Sequence, residues 1–410
     1  MTVDRRQFLI RSAGAAVGTH GGPLALDGPA QVPRVADPAA RLPAVAFEGR
    51  HQAGILTPSP PAACFAGADV LVQGREELAR LLQTITGAAR FLTAGGRPPA
   101  VAPGSPPADS GTLGPVVVPD GLTVTLGVGT SLFDGRFGLR RRRPAGLFEM
   151  RSFPGDSLDP AQCGGDLMLS ICAGSRDTVV HALREITRRT GPAMRVRWLV
   201  NGVQAPSRPV GVPRNHQGFR DGIANPAVGR RDVAARLLWL GGGDGDQAWT
   251  AGGTLHVCRV IRIFTGPWDE LALARQEAII GRRRASGAPL GGRHETDIPD
   301  YAADPDGRVI PLRAHIRLAN PRTDATENSR ILRRGYNYDR GIDARGQLDL
   351  GLVFNCYQRD IRRQFEAVQK RLRDEPMARF ISPFGGGYFF VLPGVRGRSD
   401  WLGRGMLGAR

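Results

Sequence analysis

Two side chains in this 410-residue sequence have the type and setting that chemistry requires. Asp221 sits within GFRDGIANP (218–226), between Gly218 and Gly222, and Asn225 and Pro226 close the segment. A carboxylate on such a loop has two readings: a turn aspartate, or a general acid/base aimed at a cofactor. His315 sits within RAHIRLANPR, with Ile316 and Leu318 beside it and no second histidine at metal-pairing spacing. Zinc wants three or four ligands, so a lone histidine suits one-point axial ligation of haem better. The other histidines read differently: His181 falls on an amphipathic helical pattern and His256 on a strand pattern, where structural roles are expected. Five scattered cysteines include no CxxC or CxxCH pair, which argues against covalent haem attachment and iron–sulfur ligation. Cys172, Cys258 and Cys356 lie in apolar runs as buried thiols, and the odd count argues against a disulfide framework.

The formal charge is +17, yet Lys370 is the only lysine. Positive charge carried almost wholly by arginine reads as coding bias, so no specific nucleic-acid partner is expected. At the N-terminus, MTVDRRQFLIRSAGAAVG carries Arg5 and Arg6 followed by Phe8 and Leu9, which resembles a twin-arginine export signal. Asp4 stands where serine or threonine is usual, and the apolar stretch that follows is short. The expectation is export to the periplasm or extracellular space, or a cytoplasmic location if the degenerate leader does not function. No stretch approaches the roughly 20 apolar residues of a membrane span.

The elements that must position these residues follow from periodicity. After a leader and linker (1–43), ADVLVQ (68–73) alternates as a strand and REELARLLQTITGAARFL (75–92) has helical spacing. Strands are predicted at 122–129, 166–174 and 194–203, with a helix at 176–190 opened by Ser175 as N-cap. The order β-α-β-β-α-β is the split arrangement of a ferredoxin-like unit. A second set follows: strand 254–264, helix 268–281, strand 348–358, helix 361–372 and strand 387–393. The predicted class is α+β, with two ferredoxin-like domains of antiparallel sheet at 44–205 and 206–405. Between the second set's first helix and next strand lies a long polar insertion, 282–347, of the kind that tends to be functional.

GFRDGIANP, GRRRASGAPLG (281–291), HETDIPDYA (294–302), AHIRLANPR (314–322), RRGYNYD (333–339) and GGGYFFVLPG (385–394) occur in that order. With VAFEGRHQAGILTP (45–58) and FPGDSLDP (153–160), they resemble the Dyp-type haem peroxidases over residues 45 to 405. The branch most similar is the exported one, also described as deferrochelatase/peroxidase. The resemblance implies haem b, one iron protoporphyrin IX per chain, held non-covalently and mainly by the C-terminal domain. It also implies an enzyme that uses hydrogen peroxide to oxidise an unidentified donor in one-electron steps. Release of iron from haem with the porphyrin intact is the alternative activity, and a non-catalytic haem carrier is the alternative class. Iron-uptake proteins are further expected partners, and homo-oligomerisation is left open.

Carried over residue by residue, the resemblance makes His315 the proximal iron ligand, Asp221 the distal acid/base and Arg333 the distal arginine. Asp360, in YQRD, is the expected carboxylate partner of His315, with an N-cap role as its competing reading. Haem contacts are expected from Gly222, Ile223, Ala224, Arg282, Asn320, Pro321 and Arg322, with Leu352 and Phe354 packing on the distal side. Gly335 stands where some relatives carry a distal asparagine, which fits the exported branch. Trp239, Trp268, Tyr336, Tyr338 and Tyr388 are candidate surface relays for bulky donors, each with a core aromatic as the plainer reading.

Overall fold

A computed structural model describes residues 41–206, 208, 211–243 and 246–409; the twin-arginine motif lies outside the described residues. In the first half, strands β1 (Ala62–Val70), β2 (Thr123–Gly129), β3 (Leu167–Ala173) and β4 (Met194–Val203) pair antiparallel in the order β2-β3-β1-β4. Helices α1 (Gly74–Ala94) and α2 (Arg176–Thr190) pack together beside them. In α1, Leu78, Leu81, Leu82, Ile85, Ala89 and Leu92 recur every three or four residues, and all are buried. Ser175 caps α2, its hydroxyl accepting from the Thr178 amide at 3.3 Å. The first strand lies earlier than the expected 68–73. AACFAGADV is almost wholly buried and so shows no alternation, the signal on which the expectation rested.

The second half repeats this order in sequence and in space. Strands β5 (Thr254–Ile263), β7 (Tyr336–Ile342), β8 (Leu348–Gln358) and β9 (Ile381–Val391) pair antiparallel as β7-β8-β5-β9, matching β2-β3-β1-β4 position for position. A two-residue strand, β6 (Leu332–Arg333), lies on the same edge of β8 as β7. The halves join at both edges: β2 pairs with β9, and β4 meets β7 at Val203↔Asn337. Eight strands therefore close on themselves. Side chains from seven of them, including Phe65, Met168, Trp198, Val260, Tyr338 and Phe389, form one buried cluster.

Local departures have local causes. The expected helix 268–281 is two helices, Thr265–Asp269 and Leu273–Ile280, because Ala272 is extended (φ −54, ψ 140). The expected helix 361–372 opens with a π-helical turn, Arg362–Glu366, before Ala367–Arg371. Strand β7, within the polar RRGYNYD run, had no counterpart in the sequence reading, and β9 begins at Ile381 rather than 387.

His256 on β5 is fully packed, stacked on Tyr357 at 4.6 Å and bonded through Nε2 to Asn355 Oδ1 at 2.8 Å. Burial pulls its pKa down to about 4, partly opposed by the Asn355 bond. Below the ordinary value of about 6.5 the unfolded chain takes up a proton that the folded one refuses. Stability should thus be whole above that pH and decline towards pH 4, by up to about 3 kcal/mol. Denaturant titrations from pH 7 to 4.5 check this: His256→Gln should lose less stability on acidification than the parent, and parallel curves would refute it.

Candidate active site

The second half holds a cavity that opens to solvent and is lined by most of the expected site residues. Its floor and sides are apolar, from Ile261 and Ile263 on β5, Leu352 and Phe354 on β8, and Ile280, Ile316 and Phe365. On one wall His315 begins the short helix His315–Ala319, after Ala314 in extended conformation. Its Nδ1 lies 2.6 Å from Glu375 Oε2, and Glu375 is 6% exposed. Glu375 therefore holds the Nδ1 proton and leaves Nε2 as the free nitrogen of the ring. Burial lowers the His315 pKa, but the charge and hydrogen bond of Glu375 outweigh it, and the net shift is upward.

The expected partner of His315 was Asp360, and this is corrected. Asp360 accepts from the Arg363 amide at 2.9 Å and from Arg363 Nε at 3.0 Å, capping the π-helical turn, and it does not line the cavity. Its position directly before a helix start gives its carboxylate nearby amides to cap. Glu375 was missed because it lies 60 residues from His315 in sequence. Its only local signal is a glutamate placed immediately before Pro376.

A second wall carries Asp221 and Arg333, whose Nη1 donates to Asp221 Oδ1 at 2.7 Å. The Asp221 loop is shaped by Gly218 (φ 84) and Gly222 (φ 104), conformations that L side chains rarely adopt. The Asp221 amide donates to Pro213 O at 3.0 Å. Asn225 ties this loop to β6: its Nδ2 donates to Arg333 O at 2.9 Å and its Oδ1 accepts from Arg333 N at 3.0 Å. Gly335 keeps the space beside the pair open, since a Cβ there would lie 3.3 Å from Leu352 Cδ1 and 3.6 Å from Asp221 Oδ2.

Guanidinium groups gather around the rest of the cavity. Arg282 is 5% exposed and donates to Gly287 O at 2.7 Å and Glu295 O at 3.0 Å. Burial, then the charges of Arg322 and Arg333, pull its pKa down to about 10 against the opposing influence of Tyr301 and Glu295. Arg220 pairs with Glu295. The Nε atoms of Arg220, Arg322 and Arg330 are buried with no hydrogen-bond partner among the described residues. Crowded cationic groups with unmet donors beside an apolar hollow call for an anionic, largely apolar ligand.

Asp221, Ile223, Ala224, Arg282, His315, Asn320, Arg322, Arg333, Leu352 and Phe354 all line this cavity. Gly222 lines an adjoining one together with Asp221, Arg333 and Gly335. Pro321 lines neither. Of the aromatic candidates, Trp268, Tyr336, Tyr338 and Tyr388 are buried core residues rather than surface ones. Trp239 is half-buried and stacked on His51 at 3.6 Å.

Away from the cavity, Asp109, His181 and Glu185 place ligand-type atoms within 4.8 Å of one another. Glu185 is already engaged by Arg188 Nη2 at 2.6 Å and the Ser110 amide at 2.9 Å, so we read the trio as an ion-pair network holding the 108–112 segment to α2. All five cysteines are free; four are buried and Cys163 is half-buried. No helix among the described residues is long and apolar enough to cross a membrane.

Comparison with known proteins gives a consistent result. A family model described as Dyp-type peroxidase, N-terminal, matches residues 52–204, and one described as Dyp-type peroxidase, C-terminal, matches 212–396. A deferrochelatase of Yersinia pestis is 46% identical over 367 residues, spanning 88% of this chain and 85% of its own. A deferrochelatase of Escherichia coli O6:K15:H31 is 45% identical over 408 residues, spanning 98% and 96%. Among solved structures, a DyP-type peroxidase from Cellulomonas bogoriensis has a TM-score of 0.79 at 38% identity, covering 89% of this chain and 98% of its own. Ferric DtpA from Streptomyces lividans has a TM-score of 0.80 at 35% identity, covering 90% and 98%.

Proposed function

The chain belongs to the Dyp-type peroxidase family, whose members are haem proteins, and from that premise we propose how its own residues divide the work. Haem b, one per chain, would be held in the second-half cavity, with His315 Nε2 as the nitrogen free to bind its iron. Arg282, Arg322 and Arg330 would supply cations for its propionates, and Leu352 and Phe354 apolar surface for its ring. Bound there, the haem supplies the redox centre that passes electrons from donor to peroxide.

Each side chain then has a definite task. Glu375 keeps the His315 Nδ1 proton, which orients the imidazole and raises its basicity as a ligand. Asp221, with Oδ1 held by Arg333, has Oδ2 available to take a proton from one oxygen of hydrogen peroxide and return it to the other. Arg333 stabilises the negative charge that develops on the departing oxygen. A carrier has no use for this pair, which weighs against the non-catalytic alternative. The observation that carries the reading is the lining of one cavity by both the His315–Glu375 and Arg333–Asp221 pairs.

An absorption spectrum of the purified holoprotein before and after one equivalent of peroxide, followed by donor addition, tests it. We expect a rapid spectral change that the donor reverses; a haem spectrum indifferent to peroxide would refute the peroxidase reading. A second reading, removal of iron from haem with the porphyrin intact, is favoured by the names of relatives at 45–46% identity. It is checked by the fluorescence of metal-free porphyrin after incubation with haem. Export by the twin-arginine route belongs to the same proposal and rests on Arg5 and Arg6.

A further inference from the structure

We propose that Asn225 is the positioning residue that sets the Arg333–Asp221 pair in register. The inference rests on the reading of that pair given above and adds a residue to it. Strand β6 is only two residues long, and one edge of it pairs with β8 at Leu332↔Tyr357 and Arg333↔Cys356. On its other edge no strand among the described residues meets the amide and carbonyl of Arg333. Asn225 meets both, accepting from Arg333 N at 3.0 Å and donating to Arg333 O at 2.9 Å. A side-chain amide thus does the work of a paired strand, fixing where the Arg333 side chain starts.

The same residue is anchored in the loop that carries Asp221. The Asn225 amide donates to Gly222 O at 3.2 Å, one residue after Asp221. Through Asn225 the two partners of the 2.7 Å Arg333–Asp221 bond are held by one rigid link of three hydrogen bonds. Only asparagine has this reach and this donor–acceptor pair. Aspartate keeps the acceptor for Arg333 N but sets a carboxylate oxygen against Arg333 O. Alanine keeps neither bond, and glutamine adds a methylene that displaces both.

The experiment measures the rate of reaction with hydrogen peroxide in haem-loaded Asn225→Ala, Asn225→Asp, Arg333→Leu and the Asn225→Ala/Arg333→Leu double variant, with haem content as control. A small misplacement of a reacting group is enough for a loss of about 10- to 100-fold, and we expect that for Asn225→Ala and Asn225→Asp with haem content kept. In the Arg333→Leu background Asn225→Ala should slow the reaction less than about twofold, because the group it positions is gone. Equal losses in both backgrounds, or no loss in either single Asn225 variant, would overturn the positioning role. Should Asn225→Ala lose haem, Asn225→Asp decides alone, an unchanged rate counting against us. An Arg333→Leu variant as fast as the parent would instead overturn the assignment of Arg333, which keeps the two failures apart.

Discussion

Replacing His315 with alanine is expected to leave a folded protein that loses its haem on desalting and oxidises donors no faster than free haem. The residue is the first of a five-residue helix lining the cavity and belongs to none of the buried apolar clusters, so the variant forfeits chiefly its bond to Glu375. Millimolar imidazole should restore part of the spectrum by filling the vacated space. A normal haem content with an unaltered spectrum would show that another side chain holds the iron. Glu375→Gln is the finer test. Loss of a partner behind a metal-bound histidine typically costs about 10- to 100-fold in affinity, and weaker haem retention of that order is expected. Iron needs neutral imidazole, and Glu375 raises the His315 pKa in the haem-free protein. Haem uptake should therefore fall as pH drops through that raised value, and with Glu375→Gln the fall should move to lower pH.

Asp221→Asn and Arg333→Leu should keep their haem and lose the reaction with peroxide. A positioned proton shuttle is worth about 10²- to 10⁴-fold, and a preorganised charge at a developing anion about 10²- to 10³-fold. In Asp221→Asn the amide cannot move a proton between the two peroxide oxygens, although it fills the same space and still meets Arg333 Nη1. In Arg333→Leu the carboxylate survives without its 2.7 Å partner, and the leaving oxygen has no cation beside it. Stopped-flow absorbance at increasing peroxide reads both rates. The losses should not add in the double variant, because the two groups serve one bond cleavage. Rates within a factor of a few of the parent in both single variants would remove the pair from the mechanism.

How much of this was legible in the sequence depends on how locally each feature is encoded. The alternation of β4 and the helical spacing of α1 and α2 are local, and their expected ranges match the structure to within two residues. Residues that line the cavity were also legible, because Asp221, His315 and Arg333 sit in ordered motifs. Their supports were not. Glu375 reaches His315 only because the turn before Pro376 folds against the helix His315–Ala319, and nothing within 375's own neighbourhood names that partner. Asp360 looked better on paper because it ends a strand, and a strand end is also where a helix cap is needed. Strand β7 escaped notice because its inward Tyr336 and Tyr338 alternate with asparagine and aspartate in a run crowded with arginine.

The closure of eight strands has a consequence for how the molecule comes to be made. Strand β2 is complete at Gly129, but the strand it pairs with on its outer side, β9, begins at Ile381. At ribosomal speeds of about 5–20 residues per second, the edge of β2 waits roughly 10–50 s for its partner. Ile381 and Pro383 of that same strand are part of the cavity wall. The cavity therefore lacks part of its wall until β9 has been made.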